Sequence, residues 1–177
     1  MSIALLVIDV QQALCFGEEA AFGSEGLIER INLLGARARH AGVPVVLVQH
    51  EEDDGPLARG SEGWALAQGL VVDGADLRVG KAASDAFHGT GLHEELARRG
   101  VTRVVICGLQ SDYCIDSTTR RALGLGYEVT LVSDGHSTCD SGLLKAAQIS
   151  RHHTATLANI GGYAHRVRPA PAAEVEF

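Results

Sequence analysis

Three residues of this chain have side chains that could work as one catalytic unit. Asp9 directly follows the apolar run Ile3–Ile8, Lys81 closes Leu77–Lys81, and Cys114 opens a helical stretch after Arg103–Cys107. An aspartate can take a thiol proton and later return it to a leaving group. A helix N-terminus and a nearby ammonium both favour a thiolate. The expectation is therefore a Cys114 thiol of lowered pKa, deprotonated by Asp9 and supported by Lys81. The Gly108–Tyr113 loop ahead of that helix offers backbone N–H groups to an oxyanion. Singly, each residue has a plainer reading: Cys114 as a small buried hydrophobe, Asp9 as a turn residue, Lys81 as a solvated strand end. Topology is what joins them.

The elements that must position the three alternate along the chain. Ile3–Ile8 reads as a strand buried on both faces. Ser24 is placed to cap a helix in which Leu27, Ile31, Leu34 and Ala38 recur at helical spacing, with Gly42 as its stop. Val43–Gln49 is a second strand, 50–69 a polar excursion, and Leu77–Lys81 a third strand. Thr90 is placed to cap the next helix, with Glu94/Arg98 and Glu95/Arg99 as supporting pairs. Arg103–Cys107 and Tyr127–Val132 read as strands, Cys114–Leu125 and Asp140–Arg151 as helices, and Thr154–Leu157 as a last strand. This alternation predicts a three-layer α/β/α sandwich with a mostly parallel, doubly wound sheet. Ligands of such sheets sit beyond the carboxyl ends of the strands, so Asp9, Lys81 and Cys114 converge on one edge. The chain reads as a single domain over 1–177, with a Pro/Ala-containing tail from about 166.

Composition narrows the function classes. Among 177 residues, 15 Lys and Arg against 22 Asp and Glu give a net charge of −7, which argues against nucleic acid as the main partner. No apolar stretch reaches membrane-spanning length and no secretory leader is evident, so a cytoplasmic protein with reduced thiols is expected. The four cysteines, Cys15, Cys107, Cys114 and Cys139, contain no C-x-x-C. Cys107 reads as inert packing, Cys139 as a cap or packing residue, and Cys15 as the rival reactive thiol. Gly74–Lys81 is not a P-loop, because its glycine spacing is one residue too long and Ala82 stands where Ser or Thr is needed. A Gly-x-Ser-x-Gly elbow is absent from the sequence, which argues against a serine hydrolase.

Leu6-Val-Ile-Asp-Val-Gln-Gln12, Lys81-Ala-Ala-Ser-Asp-Ala-Phe-His-Gly-Thr-Gly-Leu92 and Val105-Ile-Cys-Gly-Leu-Gln-Ser-Asp-Tyr-Cys-Ile-Asp-Ser-Thr-Thr-Arg-Arg-Ala122 resemble, in order and spacing, three motifs of the isochorismatase-like cysteine hydrolases. The likeness runs from about Ile3 to about Ile160. It implies a catalytic triad of Asp9, Lys81 and Cys114, a cis peptide at Leu109–Gln110, and an oxyanion hole from the backbone N–H groups of Gln110 and Cys114. The implied activity is hydrolysis of a small-molecule amide-type C–N bond through a thioester on Cys114, without an organic cofactor, in a homodimer or homotetramer. Nicotinamidases of this family carry a metal on an Asp-x-His motif. Here Val48-Gln-His-Glu-Glu-Asp-Asp54 lacks it, so no metal is expected, although His50 and the following carboxylates leave a cation site open.

Residues near the same edge are candidates for binding a small planar or amphipathic substrate: Gln11, Phe16, Trp64, Phe87 and Tyr113. Trp64 and Phe87 also occupy matching segments in the family. Three other readings remain open. One is vinyl-ether hydrolysis of an isochorismate-like substrate. Another is a thiol redox protein using Cys114 with Cys15 or Cys139. The third is a catalytically silent binding module.

Overall fold

The computed structural model describes residues 2–177. Six strands, β1 (Ser2–Ile8), β2 (Val45–His50), β3 (Leu77–Lys81), β4 (Val101–Leu109), β5 (Glu128–Ser137) and β6 (Val167–Ala170), form one sheet in the order β3-β2-β1-β4-β5-β6. Every neighbouring pair is parallel. Parallel strands need crossovers, and helices supply most of them: α1 (Gln12–Phe16), α2 (Ser24–His40), α3 (Leu92–Arg98), α4 (Cys114–Gly124) and α5 (Ala146–Asn159).

Side-chain alternation builds the layers. In β1, Ala4, Leu6 and Ile8 point to one face and Leu5 and Val7 to the other; in β4, Val104 and Ile106 oppose Val105 and Cys107. The first face is covered by Leu92 and Leu96 of α3, Ile115, Ala122 and Leu123 of α4, and Leu157 of α5. The second is covered by Leu27, Ile31 and Leu34 of α2 and by Ala172 and Val175 near the C-terminus. Each such Leu, Ile or Val contributes about 1.5–3 kcal/mol when fully buried, so two-sided burial of the central strands dominates stability. Among the described residues no helix is long and apolar enough to cross a membrane.

The strand order reverses between β1 and β4: the chain runs outward from β1 through β2 to β3, then returns to β4 on the other side. This switch point leaves a crevice at the carboxyl ends of the two central strands. The strands approach closely there. A Cβ on Gly108 would lie 2.0 Å from the Ile8 carbonyl oxygen, and its φ of 120° also excludes other residues.

The C-terminal third departs from expectation. Asp140–Arg151 is not the helix; α5 covers 146–159, and Thr154–Leu157 lies inside it instead of forming a strand. Thr154 and Thr156 favour strand locally, but Ala146, Ile149 and Leu157 are buried on one helical face and packing decides. The last strand is β6, within the segment expected to be a tail. Pro169 is tolerated because β6 is the sheet edge. At the helix starts, Ser24 is not the N-cap of α2, since Gly23 holds that place with φ 66° and the Ser24 hydroxyl donates to Ala21 O. Thr90 accepts the Leu92 N–H but donates to Ala86 O, and Gly91 is the N-cap of α3. Glu95 takes both Arg98 and Arg99, in place of separate pairs.

Candidate active site

Asp9, Lys81 and Cys114 meet at the crevice beside the switch point. Asp9 turns the chain out of β1 with φ 51°, a left-handed conformation that aspartate tolerates better than most residues. Lys81 is the last residue of β3 and pairs in register with His50 at the end of β2. Cys114 is the first residue of α4, reached from β4 by a four-residue turn entered through a cis Leu109–Gln110 peptide.

Lys81 Nζ is the hub. It lies 2.7 Å from Asp9 Oδ2, 3.2 Å from Cys114 Sγ and 3.2 Å from His50 Nδ1. An ammonium has three protons, and here three acceptors surround it. Lys81 and Asp9 side chains are 0% and 1% exposed, so this ion pair is fully withdrawn from water. Because Lys81 donates to His50 Nδ1, the imidazole carries its proton on Nε2, which faces Glu52 at 3.7 Å. Burial, reinforced by the Lys81 charge, lowers the His50 pKa and keeps the ring neutral near pH 7.

The Cys114 thiol runs against the sequence expectation. Burial, with the Asp9 charge adding to it, pushes the thiol up to about 12, and Lys81 opposes this only in part. A helix dipole contributes about 0.3–1 kcal/mol, less than a tenfold change in an acid constant, so desolvation outweighs it. Burial also raises the Asp9 carboxyl, against the pull of Lys81. The resting site therefore holds a thiol beside a carboxylate of increased basicity.

A cavity of about 370 Å³ opens over these groups, with Asp9, His50, Ser84, Gln110, Tyr113 and Cys114 in its wall. Leu14, Pro56 and Leu57 supply apolar surface, and Glu19 and Glu52 supply carboxylates. Among the described residues, neither the Gln110 nor the Cys114 backbone N–H is paired with a carbonyl oxygen outside the regular elements.

Of the five substrate-contact candidates, only Tyr113 lines this cavity. Gln11 is instead a buried strut: its Nε2 donates to His50 O and Trp64 O, and its Oε1 accepts the His50 N–H. Phe87 is in the core, stacked on Tyr127 with ring centroids 5.8 Å apart. Phe16 is 43% exposed and away from the wall, while Trp64 approaches only through its carbonyl, which Gln11 and Gln49 hold. Aromatic side chains serve cores and pockets alike, so type and segment could not separate the two. Conversely, His50 and Glu19 were not anticipated as neighbours of the thiol. The strand-end logic that placed Asp9 and Lys81 applies equally to His50 at the end of β2.

The other cysteines are placed apart. All four are free. Cys15 and Cys107 are buried in the layer on the α2 face, and burial raises both thiols, Cys15 to about 11. Cys139 sits beside the cavity, donating to Glu19 O at 2.8 Å and accepting from Gln110 Nε2 at 3.2 Å. His136 lies in β5, inside a closed polar network behind the turn that joins β4 to α4. Thr154 Oγ1 spends its proton on Ser150 O, so His136 Nε2 donates to Thr154 and its Nδ1 accepts from Ser111 Oγ. Ser150 in turn donates to Ser111. His153 pairs with Asp116 at 3.0 Å. Among the described residues no group of three or more His, Cys, Asp or Glu is arranged to hold a metal ion.

Comparison with known proteins agrees with this architecture. The isochorismatase domain family model matches residues 3–161. Streptothricin hydrolase of Streptomyces noursei is 39% identical over 138 residues, covering 77% of this chain and 50% of that protein. Ureidoacrylate amidohydrolase RutB of Methylobacterium radiotolerans is 29% identical over 181 residues, covering 81% and 70%. The chain thus spans about half the length of the first of these relatives. A crystal structure of an isochorismatase family protein superposes with a TM-score of 0.87 at 32% identity, covering 95% of this chain and 97% of that one. With its all-parallel sheet and a family match over almost its whole length, the chain belongs to the isochorismatase family.

Proposed function

We propose that this chain is a cysteine hydrolase that cleaves an amide-type, non-peptide C–N bond in a small molecule through a thioester on Cys114. The observation that carries the reading is the Lys81 ammonium within 3.2 Å of Cys114 Sγ and 2.7 Å of Asp9 at the floor of the cavity. The names of two relatives, streptothricin hydrolase and ureidoacrylate amidohydrolase, point to amide-type chemistry.

The thiol pKa of about 12 shapes the mechanism. A free thiolate would be scarce at neutral pH, so proton transfer accompanies attack. Asp9 takes the Cys114 proton as sulfur bonds to the carbonyl carbon. The carbonyl π electrons move to oxygen, and the Gln110 and Cys114 backbone N–H groups receive the oxyanion. Asp9 returns the proton to the departing nitrogen as the C–N bond breaks. Asp9 then takes a proton from water, which attacks the thioester, and the thiol leaves with that proton. Lys81 favours the carboxylate form of Asp9 between steps, and His50, neutral, orients Lys81.

The test is amine or ammonia release from a panel of small linear and cyclic amides, with Cys114→Ala as control. Turnover is lost in Cys114→Ala while far-UV circular dichroism stays unchanged, and intact mass shows an acyl adduct on the wild type. Turnover that persists in Cys114→Ala overturns the mechanism. An inert amide panel combined with cleavage of a vinyl ether overturns the bond assignment.

A further inference from the structure

The catalytic cavity does not end at the triad. A second cavity of about 570 Å³ adjoins it, and Glu19, Gln110 and Tyr113 belong to both walls. The charged side chains around the two cavities have one sign. Asp9, Glu19 and Glu52 line the first, and Glu18, Glu19, Asp112 and Asp140 the second. No Lys or Arg lines either, in a chain with 15 of them. The one imidazole in the wall, His50, is held neutral by burial and by Lys81.

Some of this charge is already answered. Asp140 pairs with Lys145, whereas Glu52 faces only the neutral His50 ring. Asp112 accepts the Thr138 hydroxyl. Glu19 differs: among the described residues it has no basic partner within 4 Å, yet its backbone is fixed. Its carbonyl accepts the Cys139 thiol, and Cys139 accepts from the Gln110 side chain, so the loop bearing Glu19 is tied to the turn beside the nucleophile. At the floor the Asp9 carboxylate, 1% exposed, is bound by the Lys81 ammonium at 2.7 Å and adds no free charge of its own. An anionic substrate would meet like charge from Glu18, Glu19 and Glu52 on its way to Cys114, whereas a cationic one would be drawn in.

We propose that the substrate is a small amide bearing an ammonium or guanidinium group, and that Glu19 is the residue that selects it. The apolar strip of Leu14, Pro56 and Leu57 suits the hydrocarbon linking that cation to the reacting carbonyl. The proposal rests on the amide-hydrolase reading of Cys114, and two separate measurements keep the two apart.

The first needs no substrate. Cys114 is titrated with three methanethiosulfonates that share one reactive group and carry an ethylammonium, a hydroxyethyl or an ethylsulfonate. Rates are resolved by peptide mass spectrometry and normalised to a small free thiol. The expected order is cationic, neutral, anionic, with steps of about fivefold at low salt that shrink at 0.5 M salt. Glu19→Gln lowers the cationic-to-anionic ratio about threefold or more, and Glu25→Gln, at an exposed position of α2 outside both cavity walls, leaves it unchanged. Absence of the order, or a ratio unmoved by Glu19→Gln, overturns the proposal. The second measurement compares kcat/KM for matched neutral, ammonium-bearing and carboxylate-bearing amides. Cleavage without preference for the cation refutes charge selection and leaves amide hydrolysis standing. Inert amides with an intact thiosulfonate order refute amide hydrolysis and leave charge selection standing.

Discussion

Replacing Lys81 by methionine isolates the energetics of the buried pair. Both side chains are essentially inaccessible, at 0% and 1% exposure, and their charged atoms are 2.7 Å apart. Lys81→Met keeps the volume and strands the Asp9 carboxylate in the protein interior. Breaking a buried pair this way costs about 3–5 kcal/mol, because the remaining ion loses its partner but not its desolvation penalty. For a chain of this size that is a fall in Tm of about 6–20 °C. The double variant Asp9→Asn/Lys81→Met leaves no charge behind and recovers most of the loss, while activity stays absent in both. The pH dependence has a defined sign. Burial already raises the Asp9 carboxyl above its ordinary 3.8, and removal of Lys81 raises it further. The native state then takes up the proton more readily than the unfolded state, so Lys81→Met regains stability as pH falls toward 3.8. Urea unfolding followed by circular dichroism from pH 7 to pH 4.5 reads both effects. A cost below about 1 kcal/mol for Lys81→Met, or a double variant as unstable as the two singles summed, would refute a coupled buried pair.

His136 predicts an opposite slope. Burial lowers it from 6.5 to about 4, so the unfolded state binds a proton that the native state refuses, and stability falls by about 3 kcal/mol as pH drops through that window. His136→Gln flattens this part of the stability–pH curve; an unchanged slope would mean that the ring is not held neutral. Native-state alkylation followed by mass spectrometry should modify Cys114 and Cys139 and spare Cys15 and Cys107, which are 2% and 0% exposed. Faster labelling of Cys15 than of Cys114 would contradict the placement of Cys15 in the opposite layer.

The sheet and the edge that gathers Asp9, Lys81 and Cys114 were legible in the sequence because each rests on a strong local pattern. Ile3–Ile8 is too continuously apolar to be anything but a doubly buried strand, and strand ends in a parallel sheet share an edge. The same reasoning, with the motifs that resemble the family, brought Asp9, Lys81 and Cys114 together. The C-terminal third was not legible. Two threonines in α5 imitate a strand, and the proline of β6 imitates a tail. Only packing against β5 at the sheet edge decides both. The sign of the Cys114 shift was missed for a related reason. A helix start is visible in a sequence, whereas the depth at which it lies is not, and depth is the larger effect.

Charge shows the same division between what a chain contains and where folding puts it. A net charge of −7 permits an even acidic surface. Folding distributes it otherwise. Arg98 and Arg99 are spent on Glu95, Arg120 on Asp116 and Arg39 on Asp76, all away from the crevice. The one lysine at the site lies beneath Asp9, where its charge is taken up by Asp9 and Cys114 and is not offered to a ligand. The cavity mouth is thereby left to Glu18, Glu19 and Glu52. Spacing between Glu19 and Cys114 in the sequence gives no hint of this. The two come together because Asp9 and Cys114 flank the switch point and the loop after α1 is fastened to the β4–α4 turn by Cys139. On the proposed reading the selectivity travels with this loop, so substrate preference can change at position 19 without disturbing the buried Asp9–Lys81 pair.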